Sequence, residues 1–211
     1  MKGNLIIISS PSGGGKGTLI KEILRTTANI GYSVSFTTRP PREGEENGRD
    51  YVFVSYQEFS DLIKQNEFLE HAEVHGNFYG TSKTRVNDEI ENGRDVILEI
   101  DVQGAESILR DFPEAVSIFI LPPTFEVLRD RLTSRATETK ENLALRLKNS
   151  FGEVQKFKDF QYIVINDEKT QATRDLQTII LAERLKRIRQ TQAIQDILNS
   201  FDISKFNIVG D

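Results

Sequence analysis

The sequence predicts an α/β fold of three layers, a central parallel sheet between two sets of helices, with a smaller mixed α+β lobe inserted into it. Three observations carry this expectation. Short, wholly apolar runs alternate with amphipathic stretches of helical length. The first apolar run ends in three consecutive glycines and a lysine at the point where a helix begins. One block, residues 33–82, breaks the alternation with proline, glycine and charge.

The predicted strands are residues 5–9 (LIIIS), 95–100 (DVILEI), 116–121 (VSIFIL) and 162–166 (YIVIN). Each is too apolar for a half-solvated strand and reads as buried on both faces, as in a parallel sheet. A helical stretch follows each of them: 16–26, 103–112, 124–134 with Thr124 as N-cap after Pro122 and Pro123, and 168–189. Such alternation implies right-handed crossovers. Within the inserted block, Ser55 and Glu58 have capping-box spacing before a helix, and EFLEHAEVHGNFYGTS alternates like strands with turns. A polar stretch, residues 134–140, separates two helices. From about residue 190 the tail keeps spaced apolar residues, which suit packing on the domain or on a partner chain; a monomer and a homo-oligomer are both compatible with it.

Composition narrows the function classes. The chain of 211 residues has 37% hydrophobic and 28% charged residues, enough for a core in one domain. A net charge of −5 argues against broad nucleic-acid binding. The absence of cysteine removes disulfides, thiol nucleophiles and cysteine-ligated zinc, and fits a cytoplasmic location. The N-terminal apolar run is too short for a signal peptide, and no segment approaches the ~18 apolar residues of a membrane span. His71, Glu73 and His75 would share one face of a strand, but no fourth ligand accompanies them, so no metal is assigned there.

The glycine-rich turn points to phosphate. Ser10, Pro11, Ser12, Gly13, Gly14, Gly15, Lys16, Gly17 and Thr18 occupy a strand-to-helix junction, the context of a phosphate-binding loop. Glycines let backbone N–H groups approach an anion, the helix N-terminus adds unpaired donors and its dipole, and Lys16 adds a mobile charge. Two positions depart from the usual pattern. Ser10 stands where glycine is common, and Gly17 follows the lysine, so the hydroxyl comes one residue later, at Thr18. The loop alone does not separate a kinase from a GTPase or an ATPase motor.

In the inserted block, Arg39 and Arg42 flank Pro40 and Pro41, with Tyr51 downstream. Guanidinium forks at that spacing suit a phosphate clamp, although an arginine pair by itself is more often a solvated loop. Glu99 and Asp101 lie at the C-terminal end of a predicted parallel strand, the edge where α/β sheets bind ligands. Asp101 could equally cap the helix that follows.

Taken together and in order, SPSGGGKGT, SVSFTTRPPREGEENGRDY, EFLEHAEVHGNFYGT, LEIDVQGA and RLTSRATETKENLALRL resemble guanylate kinases across residues 4–187. The resemblance implies a P-loop α/β/α core (residues 1–32, 83–133 and 147–190), a GMP-binding lobe (33–82), a lid (134–146) and a tail (191–211). It implies transfer of the γ-phosphoryl group of ATP to GMP in purine nucleotide recycling, with Mg²⁺ accompanying ATP and neither nucleic acid nor membrane as partner. Lys16, Arg39, Arg135 and Arg146 would be catalytic; the loop from Ser10 to Thr18, Arg131 and Asn166 would hold ATP. Arg39, Arg42, Tyr51 and Tyr79 would hold the GMP phosphate, and Ser35, Glu70, Thr81 and Asp101 would read the base. Thr18 and Glu99 would face Mg²⁺, Glu99 through water. Guanine offers two adjacent donors, N1–H and the 2-amino group, that one carboxylate such as Glu70 accepts together. Adenine would leave that carboxylate facing a lone pair, at about 1–3 kcal/mol per buried unpaired group.

Two other readings compete. A guanylate-kinase-like scaffold domain would be expected to degrade the phosphate loop, yet Lys16, its glycines and the lid arginines are intact here. A GTPase would carry an Asn-Lys-x-Asp motif, which the chain lacks.

Overall fold

A computed structural model describes residues 2–74, 76–134 and 140–201 of the chain. Five strands, β1 (Leu5–Ser9), β2 (Ile30–Tyr32), β7 (Asp95–Glu99), β8 (Val116–Leu121) and β9 (Tyr162–Ile165), form one sheet in the order β2-β7-β1-β8-β9. Every pairing in it is parallel. The isoleucines of β1 explain its central place. Ile6, Ile7 and Ile8 are fully buried, each contributing roughly 1.5–3 kcal/mol relative to exposure. A period of two splits β1 between two cores. Ile6 and Ile8 pack with Leu19, Ile20 and Ile23 of α1 (Lys16–Thr26) and with Leu176 and Ile180 of α7 (Lys169–Arg184). Leu5 and Ile7 face the opposite layer, with Leu98, Phe119 and Ile108 of α4 (Val102–Asp111).

After β1 the chain crosses to β2 on one side of the sheet, and it later places β8 on the other side of β1. The C-terminal end of β1 is therefore a topological switch point, the crevice where open α/β sheets bind ligands. The glycine-rich loop and Glu99 both stand at this edge.

The inserted block builds a second sheet, β4-β3-β6-β5, from β3 (Phe36–Thr37), β4 (Val52–Phe53), β5 (Phe68–Val74) and β6 (Asn77–Ser82). Its own small core is aromatic. Phe59 of α2 (Tyr56–Lys64) stacks on Phe68 at 4.6 Å and lies 5.5 Å from Phe78. The expected capping box holds α2: the Ser55 hydroxyl accepts from the Glu58 N–H, and Glu58 accepts from the Ser55 N–H.

The sheet and helix expectations hold, with corrections at the edges. The stretch expected as one helix over residues 168–189 ends at Arg184, followed by a short 3₁₀ turn, Arg187–Arg189. Strand β2, with glycine at its centre, and α3 (Lys83–Glu91), with little apolar content, escaped the sequence reading. The tail forms α8 (Thr191–Ser200), no residue of which is buried. Among the described residues no helix is long and apolar enough to cross a membrane.

Candidate active site

Local geometry turns the glycine-rich loop into a cradle. Gly13 and Gly15 have φ near 85° and 88°, left-handed values that L side chains avoid. A methyl on Gly15 would also meet Asn166 Nδ2 at 2.4 Å. Gly15 caps α1 without any side-chain hydrogen bond. Helices α2, α3, α4, α7 and α5 (Phe125–Thr133), in contrast, receive caps from Ser55, Ser82, Asp101, Glu168 and Thr124. The first turn of α1 therefore offers its N–H groups to an anion.

Ser10 fits its unusual position. It is buried, its hydroxyl donates to the Pro11 carbonyl at 3.0 Å, and the bare Gly14 leaves room beside its Cβ. The loop is fastened from outside by Asn166, whose Nδ2 donates to the Gly14 carbonyl at 2.9 Å, and by Glu153, which accepts from the Ser12 N–H at 2.8 Å.

Ser10 to Thr18, with Lys21, Glu99 and Arg146, line a cavity of about 430 Å³. Lys16 Nζ lies 3.8 Å from Glu99 Oε1. Arg131 stands alongside: its Nη2 donates to the Asn166 carbonyl at 2.8 Å, while the buried Nη1 has no partner among the described residues. A methyl on Gly15 would come within 3.7 Å of that nitrogen. An orphaned buried guanidinium N–H beside an anion cradle suits a phosphate oxygen.

The second half of the site is made of side chains. Arg39 Nη2 donates to both Glu45 carboxylate oxygens, at 2.8 and 2.9 Å, and its guanidinium lies 5.3 Å from the Tyr51 ring centre. Tyr51 and Tyr79 meet edge to face at 5.9 Å. The Glu45 bond pushes the Arg39 pKa up against the cost of burial; in return Arg39, then the Arg42 N–H, holds the Glu45 carboxyl below its usual range. The Arg42 N–H is 2.8 Å from Glu45 Oε2, and the residue is exposed. Glu45 was missed in the sequence, where it is one of several acidic residues in a polar loop.

Glu70 and Thr81 face each other across β5 and β6, the Thr81 hydroxyl donating to Glu70 Oε1 at 2.7 Å. Burial raises the Glu70 pKa; Thr81 opposes this and the charge of Asp101 adds to it. Asp101 is indeed a helix cap: its Oδ1 accepts from the Gly104 N–H at 2.8 Å. A methyl on Gly104 would meet Asp101 Oδ1 at 3.4 Å and Glu70 Oε2 at 3.7 Å, so the two carboxylates line one small space. Ser35 enters the same lobe one residue before β3, where its carbonyl accepts from the Val52 N–H.

Tyr32 stands beside Glu99. From the end of β2 its hydroxyl donates to Glu99 Oε2 at 3.4 Å, and burial followed by the Glu99 charge pushes its pKa well up. Nothing in its sequence surroundings marks it. Arg135 and His75 lie outside the described residues; among those described, no group of three or more His, Asp or Glu residues could hold a metal ion.

The guanylate kinase family model matches residues 2–183. The chain is 49% identical to a guanylate kinase of Clostridium tetani over 192 residues, covering 90% of this chain and 92% of that one. It is 50% identical to a guanylate kinase of Neisseria meningitidis over 199 residues, covering 94% and 97%. The crystal structure of guanylate kinase from Anaplasma phagocytophilum superposes with a TM-score of 0.76 at 34% identity, covering 95% of each chain. With a family model over most of its length and relatives near 50% identity, the chain belongs to the guanylate kinase family.

Proposed function

We propose that the two halves of this site divide two nucleotides between them, in keeping with the family activity, ATP-dependent phosphorylation of GMP to GDP. The donor phosphates fall to the loop Ser10–Thr18, with Lys16 on the outer phosphates and Arg131 Nη1 beside them; Asn166 borders the adenine side. Arg39, Arg42, Tyr51 and Tyr79 take the GMP phosphate. Ser35, Glu70, Thr81 and Asp101 read the base, with Glu70, held by Thr81, accepting from N1–H and the 2-amino group. The lobe is residues 33–82, the lid 134–146, and the remaining core 1–32, 83–133 and 147–190.

A GMP phosphate oxygen attacks the γ-phosphorus while the bond from that phosphorus to the β–γ bridging oxygen breaks, releasing ADP. The acceptor phosphate is already largely ionised near neutral pH, its second pKa being about 6, so no protein base is required. Positioning and positive charge then carry the catalysis. Lys16 and Arg39 bring the donor and acceptor phosphates together against their mutual repulsion, and Arg135 and Arg146 close over the transferring group and exclude water. The Thr18 hydroxyl and Glu99 carboxylate are hard oxygen donors in one cavity and fit Mg²⁺, Glu99 through water. Bound with ATP, the ion would neutralise phosphate charge. A cytoplasmic location belongs to the same proposal, since a cysteine-free chain suits a reducing compartment.

The observation that carries the choice of acceptor is the half-buried Glu70 carboxylate, bonded to Thr81 and sharing its space with Asp101. A coupled assay of ADP formation with GMP, AMP, UMP and CMP tests it. Turnover with GMP alone is expected; comparable turnover with AMP would overturn the base assignment.

A further inference from the structure

The helix α6 (Lys140–Gln155) follows the lid segment and carries both Arg146 and Glu153. Its burial pattern is one-sided. Leu143, Arg146, Leu147, Ser150, Glu153 and Val154 face inward, whereas Ala144, Leu145, Lys148 and Asn149 are exposed. Arg146 and Glu153 are seven residues apart, two turns, so they lie on one stripe about 10 Å apart along the axis. Both meet the phosphate loop: Arg146 lines the cavity with Ser12, and Glu153 Oε2 accepts from the Ser12 N–H at 2.8 Å across 141 residues of sequence. Close by, Phe151 packs on Phe125 of α5 at 5.0 Å.

A carboxylate beside an anion-binding loop opposes the loop's purpose unless it takes a donor that the anion does not use. Glu153 engages the entry arm of the loop, one residue before Gly13, and leaves the first-turn N–H groups of α1 to phosphate. We infer that Glu153 is a positioning residue: it pins the C-terminal half of α6 to the phosphate loop, and thereby sets where Arg146 stands in the donor cavity. The bond requires an acceptor at the right reach rather than a negative charge.

The inference rests on Arg146 serving the donor site, and the test separates the two. Steady-state kinetics are measured with ATP and with GMP varied, for Glu153→Gln, Glu153→Asp, Glu153→Ala, Arg146→Ala and the double variant Arg146→Ala/Glu153→Ala. Gln keeps reach and loses charge; Asp keeps charge and loses one methylene of reach. The expected result is a roughly tenfold fall in kcat/KM for ATP with Ala and Asp, because small misplacements at a phosphoryl site are costly. Gln should stay within about twofold of the parent, with KM for GMP unmoved throughout. In the double variant, loss of the anchor should add little to loss of Arg146. Parent-like activity of Arg146→Ala would remove the premise. An impaired Arg146→Ala with fully additive losses in the double variant, or Gln as damaged as Asp, would overturn the anchor itself. Should Glu153→Ala not fold, the Gln–Asp contrast decides.

Discussion

The glycine-rich loop and the inserted lobe, proposed to hold the donor and the acceptor phosphate, are built from different materials. The loop uses backbone: left-handed glycines, an uncapped helix start and one lysine. The lobe uses side chains that hold one another in place before any ligand arrives, Arg39 on Glu45 and Glu70 on Thr81. Backbone sites are intolerant of an added Cβ but indifferent to the base that their ligand carries. Side-chain sites tolerate local change and supply the specificity. Substitutions should therefore fail in different ways in the two regions.

The largest expected effect is Lys16→Ala. Removing the cation proposed to meet the transferring phosphates should lower kcat by roughly 10²–10³-fold, with the unfolding midpoint unchanged; normal turnover would break the comparison on the donor side. Gly15→Ala comes next. A left-handed φ of 88° costs an alanine about 1–2 kcal/mol, and the methyl would also displace Asn166. The Michaelis constant for ATP should rise roughly 5–30-fold while that for GMP stays put; a shift confined to GMP would contradict a donor cradle.

On the proposed acceptor side, ionised Glu70 would be the form that accepts both guanine donors. Its pKa is raised by burial, so kcat/KM for GMP should fall as pH drops through a value above the ordinary carboxylate range, by about tenfold per unit below it. In Glu70→Gln the part of that acid limb due to the carboxyl should vanish, leaving only the limb set by the GMP phosphate at about pH 6. The sign for stability is opposite to that of a salt-bridged carboxylate. The fold favours protonated Glu70, so its stabilising contribution is present at low pH and lost as pH rises through the raised value. Glu45→Gln should have the smallest effect, a two- to fivefold rise in KM for GMP, because the pair is partly solvated and such pairs contribute little. A fall in KM would instead mean that Glu45 competes with the phosphate for Arg39.

The same contrast explains what could be read from sequence. Glycine spacing and a lysine report backbone geometry locally, so the loop and the strands around it were legible; β1 with its three buried isoleucines was the plainest. Glu45, Tyr32 and Glu153 act through partners 6, 67 and 141 residues away, and no local pattern marks them. Asp101 was legible as either base reader or helix cap; the structure shows the cap and leaves its second oxygen for the proposed base contact. Strand β2 and α3 were missed because a three-residue strand centred on glycine and a nine-residue helix with two apolar positions give almost no periodic signal. The overlong α7 reflects a missing stop signal, since neither glycine nor proline follows Arg184 before the chain turns at Arg187–Arg189.

The division of labour is tested most directly by the two Michaelis constants of Glu70→Gln. If Glu70 accepts two guanine donors as proposed, losing its carboxylate should raise KM for GMP by roughly 10–100-fold and leave KM for ATP within about twofold. Equal shifts in both constants, or none in that for GMP, would contradict the assignment of guanine to the lobe.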